Sequence, residues 1–468
     1  MKSSHAHGAF PPTVHPAVDT AFRPQQQASR LSSSKDILMK SSKRKICQVL
    51  ALVVSGMGAS VAMAAGPVIQ GGGSSLVAPT IGSVSNPATE IGLFGTSQAT
   101  FTYFSVGSGA GQNAFLNNQP TFFGAGVTGT AHFANSDAAL SNAQVTNYNN
   151  TGRGTTDGPL IQIPYIVTPI TIPVVNGPAV TSTTTPQTTP GQAHSIALND
   201  NDLCGIFSGK LTNWNQVTNP ETNATYTTNA PIKVIYRSDG SGTTELLTRH
   251  LAAVCTTANT ATGVKFVDSL TFTASFPSGF PTTASFVGVS GSGGVRNALS
   301  SSTTAAVAYL SPDYTNTFLA PSSSVVTAAG ALQLQVASLR NGNTYYAPTY
   351  ANATAALGTV AAPSGAAAAD PTQWVPNAGN PSTGYPVSGT SQIILSQCYA
   401  NATVTSAVQN FLNSHYTNAS FASIVHGNGF DTVPSNFRSA ISANFLSNTS
   451  GNGLDIGDAS TCSLYTGR

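Results

Sequence analysis

The chain has 468 residues, 40% of them hydrophobic and only 7% charged, with 18 Lys+Arg against 16 Asp+Glu. That length supports two domains with substantial cores, and a normal apolar content with a small net charge excludes a largely disordered chain. Charged residues fall far below the roughly 25% usual in soluble domains. Gly, Ser, Thr and Asn take their place, which suits an exported protein.

Residues 1–38 carry no core-forming pattern and read as disordered, or as an extension upstream of a start at Met39. Lys40, Lys43, Arg44 and Lys45 then form a basic n-region, and 46–59 form an apolar h-region. Ala62-Met63-Ala64 is a small-x-small cleavage site, so a signal peptide cleaved near Ala64 is expected, giving 1–64 as an N-terminal extension and signal. The apolar run is too short for a spanning helix, and Cys47 is misplaced for a lipid anchor. Residues 1–64 hold eight of the 18 cations and two of the 16 anions, leaving ten against fourteen and a net charge of −4. No basic patch interleaves with aromatics, so nucleic acid is not an expected partner.

Beyond the cut, residues 71–79 (Gly-Gly-Gly-Ser-Ser-Leu-Val-Ala-Pro) pair small residues with hydroxyls at a turn before a helix. A strand-like run at 99–104 leads into a second such turn, 106–111 (Val-Gly-Ser-Gly-Ala-Gly). Asp137 follows in Asn-Ser-Asp-Ala-Ala-Leu, a lone carboxylate among small and apolar neighbours; taken alone it reads as a helix cap or Asx-turn. Residues 160–167 and 170–175 are strand-like, and the Thr/Pro-rich stretch 181–191 is expected to be a surface loop.

The richest segment is 236–244, Tyr-Arg-Ser-Asp-Gly-Ser-Gly-Thr-Thr, between a β-rich run at 232–236 and a helix-like run at 244–254. A strand that enters a helix through such a turn aims free N–H groups at one spot. Gly240 and Gly242 admit close backbone approach. Ser241, Thr243 and Thr244 add hydroxyls and Arg237 a cation. The pattern makes an oxyanion socket, or, at its plainest, a well-capped helix start. Further on, 355–370 reads as irregular, 392–395 as a buried strand and 403–416 as an amphipathic helix.

Enzyme motifs find little support. Ser241 lacks the first Gly of a Gly-x-Ser-x-Gly elbow. Residues 205–211 only graze a Walker A loop, with Leu211 after Lys210. The histidines lack ligand spacing, no CxxC occurs, and no metal or cofactor is expected.

Taken in order, the segments at 71–79, 106–111, 136–140 and 237–243 resemble four successive signatures of the periplasmic phosphate-binding proteins that serve bacterial phosphate importers: Gly-x-Gly-x-Thr-Phe-x-Ala-Pro, Gly-Ser-Ser-Gly-Gly, Ser-Asp-Ala-Pro-Leu and Arg-x-Asp-Gly-Ser-Gly-Thr. Residues 206–215 and the turn Gly291-Ser292-Gly293-Gly294 echo the same family, and extracellular DING-type relatives linked to phosphatase activity share the pattern. Departures include Ser75 for Thr, Leu76 for Phe, Gly109 for Ser and Ala110 for Gly.

The resemblance implies an α/β, two-lobed periplasmic-binding-protein fold of type II with ligand in the interdomain cleft. Lobe one would be 65–168 plus 387–468, and lobe two 169–386. It implies inorganic phosphate held by Ser75, Leu76, Ser108, Asp137, Arg237, Ser241, Gly242 and Thr243, with Asp239 fixing Arg237. It further implies a monomeric, non-enzymatic binder in the periplasm or outside the cell, with a phosphate ABC permease as partner; phosphatase activity on monoesters is the alternative. Four cysteines remain after the cut, Cys204, Cys255, Cys398 and Cys462, an even number suited to an oxidising compartment. Three pairings are open; Cys204–Cys255 with Cys398–Cys462 is favoured because each pair then lies inside one implied lobe.

Overall fold

The computed structural model describes residues 66–315, 334–376 and 379–468; the expected signal peptide lies outside them. No described helix is long and apolar enough to cross a membrane.

Two sheets organise the chain. The larger has six strands, in the order Asp431–Thr432, Leu160–Pro169, Ser388–Ser396, Ala131–Ser136, Val68–Gly73, Thr100–Ser105. Val68–Gly73 pairs in parallel with both Thr100–Ser105 and Ala131–Ser136. Ser388–Ser396 runs antiparallel to its two neighbours. Every residue of Leu160–Pro169 and of Ser388–Ser396 is buried, as expected for strands covered on both faces; the first is mostly apolar, whereas in the second the apolar run is confined to Ile393–Leu395. The smaller sheet has the order Ser285–Val289, Lys233–Arg237, Ala306–Val307, Val174–Val175. Its first three strands are mutually parallel.

Parallel strands need helical crossovers, and each crossover here begins with a Gly/Ser/Thr turn. In the larger sheet, Thr100–Ser105 feeds the helix Ser108–Leu116. In the smaller, Lys233–Arg237 feeds Gly242–Val254 and Ser285–Val289 feeds Gly291–Ser300. Ligand sites of α/β sheets form outside the carboxyl ends of such strands, and the turns of the two sheets meet one another there.

The sheets are joined side by side. Pro169 pairs with Ser388 at the end of the long antiparallel ladder. Ile170 N–H then donates to Val387 O at 2.8 Å, and Thr171 bridges Leu310.

The 170–175 run, expected to be a strand, is a strand only at Val174–Val175. Thr171 and Pro173 make isolated bridges, because the chain is passing between sheets and Pro173 has no N–H to donate. The 181–191 stretch is irregular, but it is not wholly a surface loop. Thr185, Thr188 and Thr189 are buried; Thr185 Oγ1 donates to Ser195 O and Thr188 Oγ1 to Val336 O. A threonine satisfied this way is buried cheaply, so a Thr-rich loop need not be solvated. Within 355–370, the helix Tyr350–Leu357, capped by Thr349, covers the start, and a 3-10 turn spans Gly365–Ala369.

The helix expected at 403–416 runs Ala402–Thr417, with Val404, Ala407, Val408, Phe411 and Leu412 buried on one face. Among the described residues two disulfides are present, Cys204–Cys255 and Cys398–Cys462. The first ties the helix Asp200–Ser208 to the end of Gly242–Val254.

Candidate functional site

The turn after Val68–Gly73 depends on Gly73, whose φ is +130° and where a Cβ would lie 2.2 Å from Asn135 O. Only glycine adopts that backbone without strain. Its carbonyl accepts from Val106 and Gly107 N–H at 3.1 and 2.8 Å, which welds the first two turns together. Ser74 N–H donates to Asn135 O at 2.8 Å, adding the third strand's end. Ser74, Ser75, Leu76, Ser108 and Asp137 thus share one buried patch.

Asp137 is the centre of that patch. Ser74 Oγ donates to its Oδ1 at 2.6 Å, and its own N–H donates to Ser108 Oγ at 3.2 Å. From the opposite sheet, Thr243 Oγ1 reaches Oδ2 at 3.5 Å. Burial raises the Asp137 pKa; the Ser74 and Ser391 hydroxyls, the Arg237 charge and Thr243 oppose the shift without cancelling it.

Arg237, at the end of its strand, is 2% exposed. Its Nε donates to Asp239 Oδ1 at 2.7 Å, and a second nitrogen pairs with Oδ2. This fork-on-carboxylate geometry fixes the guanidinium plane. Burial alone would raise Asp239, but the Arg237 bonds and charge, with the Gly291 amide, hold its carboxyl below the usual range. The third Arg237 nitrogen donates to Ser292 Oγ at 3.2 Å, and the Arg237 N–H donates to Tyr309 Oη at 3.0 Å.

The two halves are in contact. Gly109 N–H donates to Gly240 O at 3.0 Å. A Cβ on Gly107 would lie 2.7 Å from Asp239 Oδ2. Ser75 Oγ and Ser292 Oγ are 2.9 Å apart. Hydroxyls, amides, the Arg237 guanidinium and the Asp137 carboxylate thus converge where the turns of the two sheets touch. Such a donor-rich convergence suits a small oxyanion, and the carboxylate suits one that retains a proton.

The family model described as "PBP superfamily domain" matches residues 58–415. The chain belongs to the PBP superfamily, among its phosphate-binding proteins. A relative named "Alkaline phosphatase L" from Pseudomonas aeruginosa PAO1 is 37% identical over 366 residues, 78% of this chain and 86% of that protein. A "Phosphate-binding protein" of an unknown prokaryotic organism is 34% identical over 374 residues, 77% and 91% of the respective chains. Among solved structures, a phosphate-binding protein from Stenotrophomonas maltophilia superposes with a TM-score of 0.68 at 32% identity, covering 86% of this chain and 99% of its own. The phosphate-bound periplasmic protein PfluDING superposes with a TM-score of 0.67 at 33% identity, with the same coverage. The two-lobed α/β fold of the PBP superfamily follows.

In this family member, the eight residues singled out in the sequence, Ser75, Leu76, Ser108, Asp137, Arg237, Ser241, Gly242 and Thr243, lie on the converging turns, and all are buried. Beyond the Ser75, Ser108, Asp137, Arg237 and Thr243 contacts given above, two more of them are engaged locally. Leu76 N–H donates to Ser74 Oγ at 3.1 Å, and Ser241 Oγ caps its helix by accepting Thr244 N–H at 3.2 Å. Sequence reasoning missed Ser74, next to Ser75 in the same motif, and Ser292, inside a glycine-rich turn already noticed. It also missed Tyr309, which meets Thr244 Oγ1 at 2.8 Å and so supports the Arg237 turn. Among the described residues no group of three or more His, Cys, Asp or Glu is arranged for a metal ion.

Proposed function

We propose that the chain is an exported binding protein that captures inorganic phosphate by closing its two lobes on it. The hydroxyls of Ser75, Ser108, Ser241 and Thr243, amides near Leu76, Gly242 and Thr243, and the Arg237 guanidinium would serve as donors. Asp137 would accept the proton that phosphate keeps at neutral pH. The observation that carries this reading is Asp137 itself: a buried carboxylate placed where donors from both lobes converge. Sulfate has no proton to give, and a buried acceptor left unpaired discriminates strongly, by about 10⁴-fold in sites built on that logic.

Lobe boundaries near 168/169 and 386/387 fit the Pro169–Ser388 pairing and the Thr171–Leu310 bridge, and they belong to the proposal. So do the signal peptide cleaved near Ala64, a periplasmic or extracellular location, a monomeric state, and delivery of phosphate to an ABC permease. Titration calorimetry of phosphate against sulfate on the chain from Ala65 onward tests the reading.

Hydrolysis of phosphate monoesters is the second reading, favoured by the 37% identical relative named for that activity. Against it, the Ser241 hydroxyl is engaged as a helix cap, and no histidine among the described residues bonds any of the eight site residues. Turnover of a phosphate monoester separates the two readings.

A further inference from the structure

Ser292 belongs to none of the four anion-site motifs, yet it stands where three groups of the site meet. It is the second residue of the helix Gly291–Ser300, and its side chain is fully buried. Gly291 turns the chain with φ +71° and donates its N–H to Asp239 Oδ1 at 3.0 Å. The helix start is therefore tied to the carboxylate that clamps Arg237. Ser292 Oγ accepts from Arg237 at 3.2 Å. It also lies 2.9 Å from Ser75 Oγ, and Ser292 N–H donates to the same Ser75 oxygen at 3.3 Å. Ser75 and Ser292 are 217 residues apart and sit on turns of different sheets.

A hydroxyl has one proton and two acceptor sites. Ser75 Oγ already accepts the Ser292 amide, and Ser292 Oγ already accepts Arg237. If Ser292 donates its proton to Ser75, both acceptor sites of Ser75 are filled, and the Ser75 proton is left over. If Ser75 donates instead, the Ser292 proton is left over. Either way the pair offers one free O–H, polarised from the Arg237 charge, since bonds in such chains strengthen one another.

We propose that Ser292 is a positioning residue for the anion site: it relays the Arg237 charge to Ser75, directs the spare proton at the bound oxyanion, and latches the closed lobes. This rests on the phosphate reading above. A latch acts after encounter, so its loss should speed release and leave capture unchanged.

The test is stopped-flow phosphate binding on the wild type, Ser292→Ala, Ser75→Ala and the double variant, with thermal midpoints measured alongside. Ser292→Thr serves as the hydroxyl-retaining control. Ser292→Ala is expected to raise koff by roughly tenfold, the scale of one charge-linked hydrogen bond, with kon within about twofold. The double variant should release phosphate little faster than Ser75→Ala, and Ser292→Thr should recover most of the loss. An unchanged koff in Ser292→Ala, or effects of the two serines that multiply, would overturn the relay while leaving phosphate binding intact. Wild-type protein that fails to bind phosphate would overturn both the phosphate reading and the relay.

Discussion

Gly242 and Asp137 meet across the cleft so closely that a Cβ on Gly242 would lie 2.5 Å from the Asp137 Cβ. The same carbon would lie 2.6 Å from Ala138 N and from Ser108 Oγ. The closed form therefore requires glycine at this position for its bareness.

Gly242→Ala should leave each lobe folded and obstruct closure. Phosphate affinity is expected to fall at least tenfold, because backbone and Cβ neighbours cannot swing aside as a flexible side-chain end would. Calorimetry gives the affinity and a thermal melt the control. Unchanged affinity would show that closure does not bring these atoms together.

Asp137→Asn should change the anion preference. It removes the repulsion toward fully ionised anions, so sulfate should gain at least about tenfold relative to phosphate. Arg237→Ala, which removes an attraction common to both anions, should weaken both with little change in their ratio. A sulfate-to-phosphate ratio unmoved by Asp137→Asn would return the residue to its plain reading as a turn-former.

The same residue predicts a pH dependence. Burial raises the Asp137 pKa, so the folded protein takes up this proton more readily than the unfolded chain. That contribution to stability is present at acid pH and is lost as pH rises through the folded-state value. Asp137→Asn removes the charge that burial opposes, so it should raise the thermal midpoint of the unliganded protein at pH above that folded-state value. Acidification should also improve sulfate binding by the wild type, since protonated Asp137 becomes a donor. Competition of sulfate against phosphate across acid to neutral pH measures this; a flat profile would contradict it.

The Arg237–Thr243 turn was legible in sequence because its parts are local: a strand, glycines and hydroxyls, then a helix within a few residues. The strand Lys233–Arg237 and helix Gly242–Val254 lie close to the runs expected there. Ser292 was not legible as a site residue, because its partners Ser75 and Arg237 lie 217 and 55 residues away. Pro173 misled in the opposite way. Its neighbours are β-branched and apolar, but the chain is leaving one sheet for the other, and burial there does not need a ladder. Thr185 and Thr188 show a third limit: composition says loop, and only the carbonyls they meet show that the loop is anchored.

Both disulfides close long loops, with sequence separations of 51 and 64. Each should stabilise by about 2–4 kcal/mol. Denatured, unreduced protein from Ala65 onward should show no free thiol, and reduction should lower the thermal midpoint markedly. Two or more reactive thiols without reductant would contradict the pairing.

The convergence of Asp137, Arg237 and the serine and threonine hydroxyls should act as a phosphate socket and not as a hydrolytic centre. Titration calorimetry with phosphate and sulfate on homogeneous protein, run beside an assay of phosphate-monoester turnover, tests it most directly. One phosphate per chain, far weaker sulfate binding, and turnover well below about 1 s⁻¹, the low end of ordinary enzymatic rates, are expected. Absence of phosphate binding, equal binding of sulfate, or turnover at or above that rate would contradict it.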